Sequence, residues 1–218
     1  MPRERDFAAE RRTMVEEQLR GRGIDDERVL EAMGRVPREA FVDEADRKRA
    51  YEDMPLAIGF GQTISQPYMV ALIAASAALQ PGEKALDVGT GSGYAAAVLA
   101  ELGAAVHTIE RLPELAAKAR ERLEAAGYGR VAVHVGDGSL GLVEEAPFDA
   151  ITVAAAAPEL PMALYGQLVA GGRLVVPIGD RSGQRLEVAV RSPEGPAVLR
   201  SVPCRFVPLV GSAGFARD

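Results

Sequence analysis

The stretch Ala85-Leu86-Asp87-Val88-Gly89-Thr90-Gly91-Ser92-Gly93 ends an apolar run and opens a helical pattern. Glycines let such a turn be tight and let a ligand approach the backbone closely. The spacing is G-x-G-x-G. A dinucleotide-binding turn is spaced G-x-G-x-x-G, keeps its third glycine for helix–strand packing and seats a pyrophosphate on the helix end. Asp87 stands two residues before the first glycine, where an anion disfavours a phosphate and favours a cationic ligand. Glu110 follows 23 residues later at the end of the next apolar run, where a carboxylate can accept hydrogen bonds from both hydroxyls of a ribose. Gly136-Asp137-Gly138 closes a third run, and Asp137 there can meet the amino group of an adenine. Each acid taken alone is also an ordinary turn or cap residue. Three at successive strand ends, beside one glycine loop, describe the ligand crevice of an open α/β sheet. S-adenosylmethionine, which carries an ammonium and a sulfonium and no phosphate, suits this set.

A second cluster lies upstream. Thr63, Ile64, Ser65 and Gln66 immediately precede Pro67, and Val70, Ile73, Ala74 and Ala77 recur at helical spacing after it. They therefore sit at a helix N-terminus, with free backbone N–H groups and the positive end of the dipole. Ser65 can donate a hydrogen bond to a carboxylate there, or can simply cap the helix. Near the C-terminus, Phe206 to Val210 place apolar residues around Pro208, as a core-packing tail would. Cys204, His107, His134, Met54, Met69 and Met162 read as packing residues.

The elements that must hold these residues follow from periodicity. Phe7, Met14, Val15 and Leu19 mark a helical segment stopped by Gly21 and Gly23. Asp25 is placed to cap a second helix carrying Val29, Leu30 and Met33, and Pro37 opens a short third turn. Residues 51–66 show little periodicity and read as a loop. Beyond Pro81, strands are expected over 85–88, 105–109, 131–135, 150–153 and 174–178, with helices over 94–102, 113–126 and 161–170 between them. A hairpin over 186–191 and 197–202 follows. This alternation predicts an α/β fold, a doubly wound, mostly parallel seven-stranded sheet with helices on both faces and an N-terminal helical extension. Residues 1–80 form the helical region and active-site loop and 81–218 the cofactor-binding core, together one compact domain.

Composition narrows the function classes. In 218 residues, 48% are hydrophobic and 26% charged, a mix that can bury a core. The net charge of −6 is not the footprint of a non-specific nucleic-acid binder. In the first fifty residues, 12 Lys and Arg alternate with 13 Asp and Glu, as on solvated helix faces. No run of 18 apolar residues appears, the stretch MPRERDFAAERR has no apolar segment, and a single cysteine excludes an intramolecular disulfide. A cytoplasmic, monomeric protein without membrane or nucleic-acid partner and without a metal site is expected. A nicotinamide-dependent dehydrogenase is disfavoured by the glycine spacing and by Asp87, and a binding module without turnover would be expected to lack Ser65, Asp87 or Glu110.

The glycine loop and its acids resemble those of class I S-adenosylmethionine-dependent methyltransferases. A more specific likeness runs from about Met14 to Gly211. RVPREAFV (35–42), PLAIG (55–59), GQTISQPYMVA (61–71), TIER (108–111) and FVPLVG (206–211) resemble the protein-L-isoaspartate O-methyltransferase family. Two departures are Ala154, where members often have Thr, and the short polar end after Gly211. The resemblance implies methylation of the free α-carboxylate of L-isoaspartyl residues in damaged proteins and peptides, whose ester then cyclises unaided to a succinimide. The same chemistry dedicated to one peptide, or another methyl acceptor, is the alternative. It further implies that Ser65 orients the acceptor carboxylate and that Ile64, Ser65, Val207, Pro208, Leu209 and Val210 line the substrate site. Thr63, Asp87, Gly89, Thr90, Gly91, Ser92, Gly93, Glu110, Arg111, Gly136, Asp137 and Gly138 would bind the cofactor.

Overall fold

The computed structural model describes residues 5–180 and 182–216; the charged residues 1–4 and the last two of the polar end lie outside them. Helix α1 (Phe7–Thr13) is capped by the Asp6 carboxylate and runs into a π-helical segment, Met14–Leu19, and a 3₁₀ turn, Arg20–Arg22, which Gly23 ends in the left-handed region. Helix α2 (Glu27–Arg35) is capped by Asp26, which accepts from the Arg28 and Val29 amides, not by Asp25 as its position in the sequence suggests. Two 3₁₀ turns follow, Arg38–Ala40 and Glu44–Arg49.

Residues 51–66 are not wholly a loop. Strands β1 (Leu56–Gly59) and β2 (Gln62–Ile64) form a small antiparallel hairpin with Leu56 opposite Ile64. Its turn places Gly59, Phe60 and Gly61 all at positive φ. Four residues of strand are too few for a clear period, although Leu56 and Ile58 are buried and Ala57 is not. The hairpin carries Thr63 and Ile64 directly into α3 (Pro67–Ala77), where Pro67 occupies the first turn.

The main sheet contains β3 (Lys84–Val88), β4 (Ala105–Glu110), β5 (Ala132–Val135), β6 (Phe148–Val153), β7 (Leu168–Gly179), β8 (Gln184–Ser192) and β9 (Gly195–Cys204) in the order β5-β4-β3-β6-β7-β8-β9. The first five in that order are parallel, and β8 and β9 add an antiparallel hairpin. Helices α4 (Tyr94–Glu101) and α5 (Pro113–Ala125) connect the strands, as the periodicity indicates. Helix α6 is only Met162–Tyr165, shorter than the expected 161–170. Leu168 pairs with Phe148 and already belongs to β7, so Gly171 and Gly172 mark an irregularity inside a strand instead of a helix end.

The central strands β3, β6 and β7 are covered on both faces, whereas the edge strand β9 is mostly exposed. Ala85, Val106, Val175 and Val188 pack with α3, α4, α5 and the N-terminal helices in one cluster. Leu86, Val88, Ile151, Val153 and Leu174 pack with Leu164, Tyr165 and Leu209 in the other. The second face is thus covered by short helical turns and the C-terminal tail. Two expected core fillers are surface residues: Met54 is 37% exposed and Met162 57%. Met54 lies in the turn before β1, and Met162 opens the abbreviated α6.

Candidate active site

The glycine loop lies where β3 ends and α4 begins. Gly89 N–H donates to Ile109 O (2.9 Å) and Gly91 N–H to Glu110 Oε2 (3.0 Å), which anchors the loop to the end of β4. Gly91 has φ +53, and a Cβ there would stand 3.3 Å from Ile58 of the hairpin. Gly93 begins α4 and packs so closely on α5 that a Cβ would lie 3.0 Å from Leu123 Cγ. Thr90 and Ser92 point inward: the Thr90 and Thr108 hydroxyls are 2.7 Å apart, and Ser92 Oγ accepts from Tyr94 N–H. Of the loop, Gly89 and Gly91 alone line the crevice, and Thr90, Ser92 and Gly93 shape it.

The three acids play three parts. Register places Asp87 between Thr108 and Thr152 on the flanking strands. Its oxygens accept from Thr108 Oγ1 (2.9 Å) and Thr152 Oγ1 (3.1 Å), and it is 1% exposed. Burial without a cation, aided by Glu110, pushes its carboxyl up to about 6, against the two hydroxyl bonds. Glu110 is buried at the crevice and accepts from Gly91 N–H and Leu112 N–H (3.1 Å), one bond per oxygen. A carboxylate has about four acceptor positions, so two are left for ribose hydroxyls. Asp137 is not free for an adenine amino group alone. Oδ1 accepts from Ser139 N–H (3.0 Å) and Oγ (2.6 Å), and Oδ2 accepts from Ser212 N–H (2.7 Å). These bonds hold its carboxyl below the usual range against partial burial.

Asp137 therefore ties down the C-terminal tail, which sequence reasoning missed. Ser139 Oγ also accepts from Ala213 N–H (2.9 Å), and the Val210–Phe215 bridge closes a turn. The tail is stapled to the sheet as well: Ala156 N–H donates to Val207 O (2.8 Å) and Leu209 N–H to Ala156 O (2.7 Å). Gly211 is the one signal of this arrangement in the sequence, because a Cβ there would overlap the Asp137 carboxylate.

Four hollows meet beside this frame. The crevice is lined by Thr63, Gly89, Gly91, Glu110, Arg111, Gly138 and Val207 to Val210, among others. It continues past Arg111 and Val210 into an outer chamber bounded by Gly136, Asp137, Gly211 and Ser212. An open groove of about 250 Å³ is lined by Pro55, Thr63, Ser65, Gln66, Met69, Ala154, Arg205, Phe206 and Val207. A narrow hollow of about 20 Å³ runs from Ser65 to Asp87 between α3 and β6. Thr63, Ala154 and Val207 border both crevice and groove, and so mark the passage between them. Of the expected substrate residues, Ser65 and Val207 line the groove, Pro208, Leu209 and Val210 line the crevice, and Ile64 is buried beneath the hairpin.

Ser65 does not cap α3. Gln66 occupies the N-cap position, and among the described residues Ser65 Oγ has no hydrogen-bond partner. The arrangement thus offers a cradle for a nucleoside, a buried anion without a counter-charge and an unengaged hydroxyl across a narrow passage. Among the described residues, no His, Lys or Tyr lines the groove to act as a base. Among the described residues no group of three His, Cys, Asp or Glu side chains could hold a metal ion, and no helix is long and apolar enough to cross a membrane.

Residues 9–214 match the model of the protein-L-isoaspartate(D-aspartate) O-methyltransferase family. A protein-L-isoaspartate O-methyltransferase of Syntrophobacter fumaroxidans is 54% identical over 209 residues, 96% of this chain and 98% of that one. One of Hyperthermus butylicus is 53% identical over 221 residues, 96% and 92% of the two chains. Among solved structures, a Plasmodium falciparum protein assigned as a protein-L-isoaspartate O-methyltransferase, in complex with S-adenosyl-L-homocysteine, superposes with a TM-score of 0.80 at 30% identity. That alignment covers 90% of this chain and 96% of the other.

Proposed function

Because this chain belongs to the protein-L-isoaspartate(D-aspartate) O-methyltransferase family, we propose that its groove presents the free α-carboxylate of an L-isoaspartyl residue through the Thr63–Ala154–Val207 passage, with Ser65 orienting it. The chain is a class I methyltransferase that uses S-adenosylmethionine, and it methylates isoaspartyl residues of proteins.

The residues present suit the cofactor. Glu110 keeps acceptor capacity for ribose hydroxyls, Gly89 and Gly91 line the crevice without side chains, and Asp87 is a buried carboxylate that a cationic group would stabilise. When bound, S-adenosylmethionine supplies an activated methyl group. The outer chamber at Gly136, Asp137 and Gly211 would hold the base, and Asp137 Oδ2, which accepts one bond from Ser212 N–H, keeps an acceptor position for its amino group.

The chain needs no general base for this acceptor. An α-carboxyl has an ordinary pKa of about 3.3–3.7 and reaches the groove already ionised. Its demands are orientation and exclusion of water, since a carboxylate must shed solvent to attack. Ser65 Oγ donates to one carboxylate oxygen and leaves the other directed at the passage. The apolar walls, Ala154 and Val207, keep that passage dry. The unengaged hydroxyl of Ser65 beside a passage shared by groove and crevice is the observation that carries this reading.

Ser65→Ala tests it. A hydrogen bond to a charged group contributes about 1.5–3 kcal/mol, so turnover on an isoaspartyl peptide falls about 10- to 100-fold. Cofactor affinity, measured by calorimetry, stays within about twofold on the same reasoning. Unchanged turnover would remove Ser65 from the site.

A further inference from the structure

Among the described residues, the acceptor groove carries one charged side chain. Its lining is otherwise Pro55, threonine, serine, glutamine and apolar residues, and the exception is Arg205. Arg205 is exposed, and among the described residues its guanidinium makes no ion pair or hydrogen bond. An acid that reaches the same wall is already neutralised: Asp53 accepts from Gln66 Nε2 (3.2 Å) and Tyr68 N–H (3.1 Å) and pairs with Arg22. In a chain of net charge −6, the groove is therefore a local positive site with no counter-ion among the described residues.

The backbone beneath Arg205 is held firmly. Cys204 pairs with Gln184 at the end of β9. The Gln184 side chain then continues the ladder: Phe206 N–H donates to its Oε1 (2.6 Å), and its Nε2 donates to Phe206 O (3.2 Å). The backbone at the groove's lip is thus fixed, while the exposed, unpaired guanidinium of Arg205 keeps the reach to meet a flanking carboxylate.

We propose that Arg205 makes the enzyme select isoaspartyl acceptors with an acidic residue beside the damaged site. This inference rests on the groove's assignment as the acceptor site. Arg205 does not touch the reacting atoms: it attracts a flanking carboxylate and so acts on the capture of the peptide. Aspartate- and glutamate-rich surface loops are the substrates it favours.

The test compares isoaspartyl peptides identical except for Glu, Ala or Lys at the flanking positions. An exposed ion pair contributes about 0.2–1 kcal/mol, which corresponds to about a 1.5- to 5-fold difference in KM. The wild type is expected to show KM in the order Glu < Ala < Lys with little change in kcat, and the spread should narrow at high salt. Arg205→Gln removes the spread, Arg205→Glu inverts it, and Arg205→Lys keeps its sign. Anisotropy of the labelled peptides bound with S-adenosylhomocysteine reads the same order without turnover. An order in binding that Arg205→Glu leaves intact, or a wild type without any order, overturns the inference. Failure to methylate any isoaspartyl peptide overturns the acceptor assignment itself and is separately visible.

Discussion

Asp87 is the residue where stability and function pull apart. Its carboxyl is raised to about 6 in the fold against an ordinary value of 3.8. The stability associated with this group is therefore full below about pH 4 and is lost as pH rises through 6. At pH 7 the ionised group costs the ligand-free protein about 3 kcal/mol, two pKa units at 1.36 kcal/mol each. Asp87→Asn is expected to raise the melting temperature at pH 7, with the gain vanishing near pH 4, while cofactor affinity falls. A lower melting temperature at pH 7 would contradict this. The same linkage predicts that wild-type cofactor affinity weakens below about pH 6, by up to tenfold per pH unit, and that calorimetry of Asp87→Asn shows a flatter profile. Asp87, Glu110 and the glycine loop were legible because strand ends and glycine spacing follow from local pattern. What Asp87 bonds to was not legible, because Thr108 and Thr152 reach it only through the register of two other strands. Arg38 was missed as well. It is wholly buried over the Tyr94 ring, with its Nε–H donated to Ala50 O, in a sequence setting that reads as a solvated charge pattern.

Among the elements, the tail lines the crevice and its outer chamber through Val207 to Ser212, opposite the glycine loop. Gly211→Ala would force the tail away from Asp137 and Ser139. Overpacking of this kind costs about 1–3 kcal/mol, and cofactor affinity should fall with it. Paired thermal melts with and without S-adenosylhomocysteine check the prediction: a stabilisation by ligand equal to that of the wild type would show that the tail does not close the crevice. Sequence pattern found the strands and long helices and misjudged the short elements. The β1–β2 hairpin has too few residues to show a period. The truncated α6 gave way because Leu168 finds a partner in Phe148, a pairing no local signal reveals.

In the molecule as a whole, the N-terminal helices and the α/β core share one hydrophobic cluster. Met14, Leu30, Met33 and Leu72 pack with Tyr94, Leu99, Val175 and Leu186. Residues 1–80 are thus expected to melt with the rest: near- and far-ultraviolet dichroism should report one coincident transition, and the fragment 81–218, stripped of one wall of its core, should not fold cooperatively. Separate transitions would make the two parts independent domains. That cluster also fixes Ser65 in the groove, since α3 bears on β6 and β7 while its N-terminus supplies that groove. The central claim is the acceptor, and methyl transfer from labelled S-adenosylmethionine to an L-isoaspartyl peptide, beside the matching L-aspartyl peptide, measures it directly. A base-labile methyl ester on the isoaspartyl peptide alone is the predicted result; equal labelling of both peptides, or of neither while cofactor binds, would contradict it.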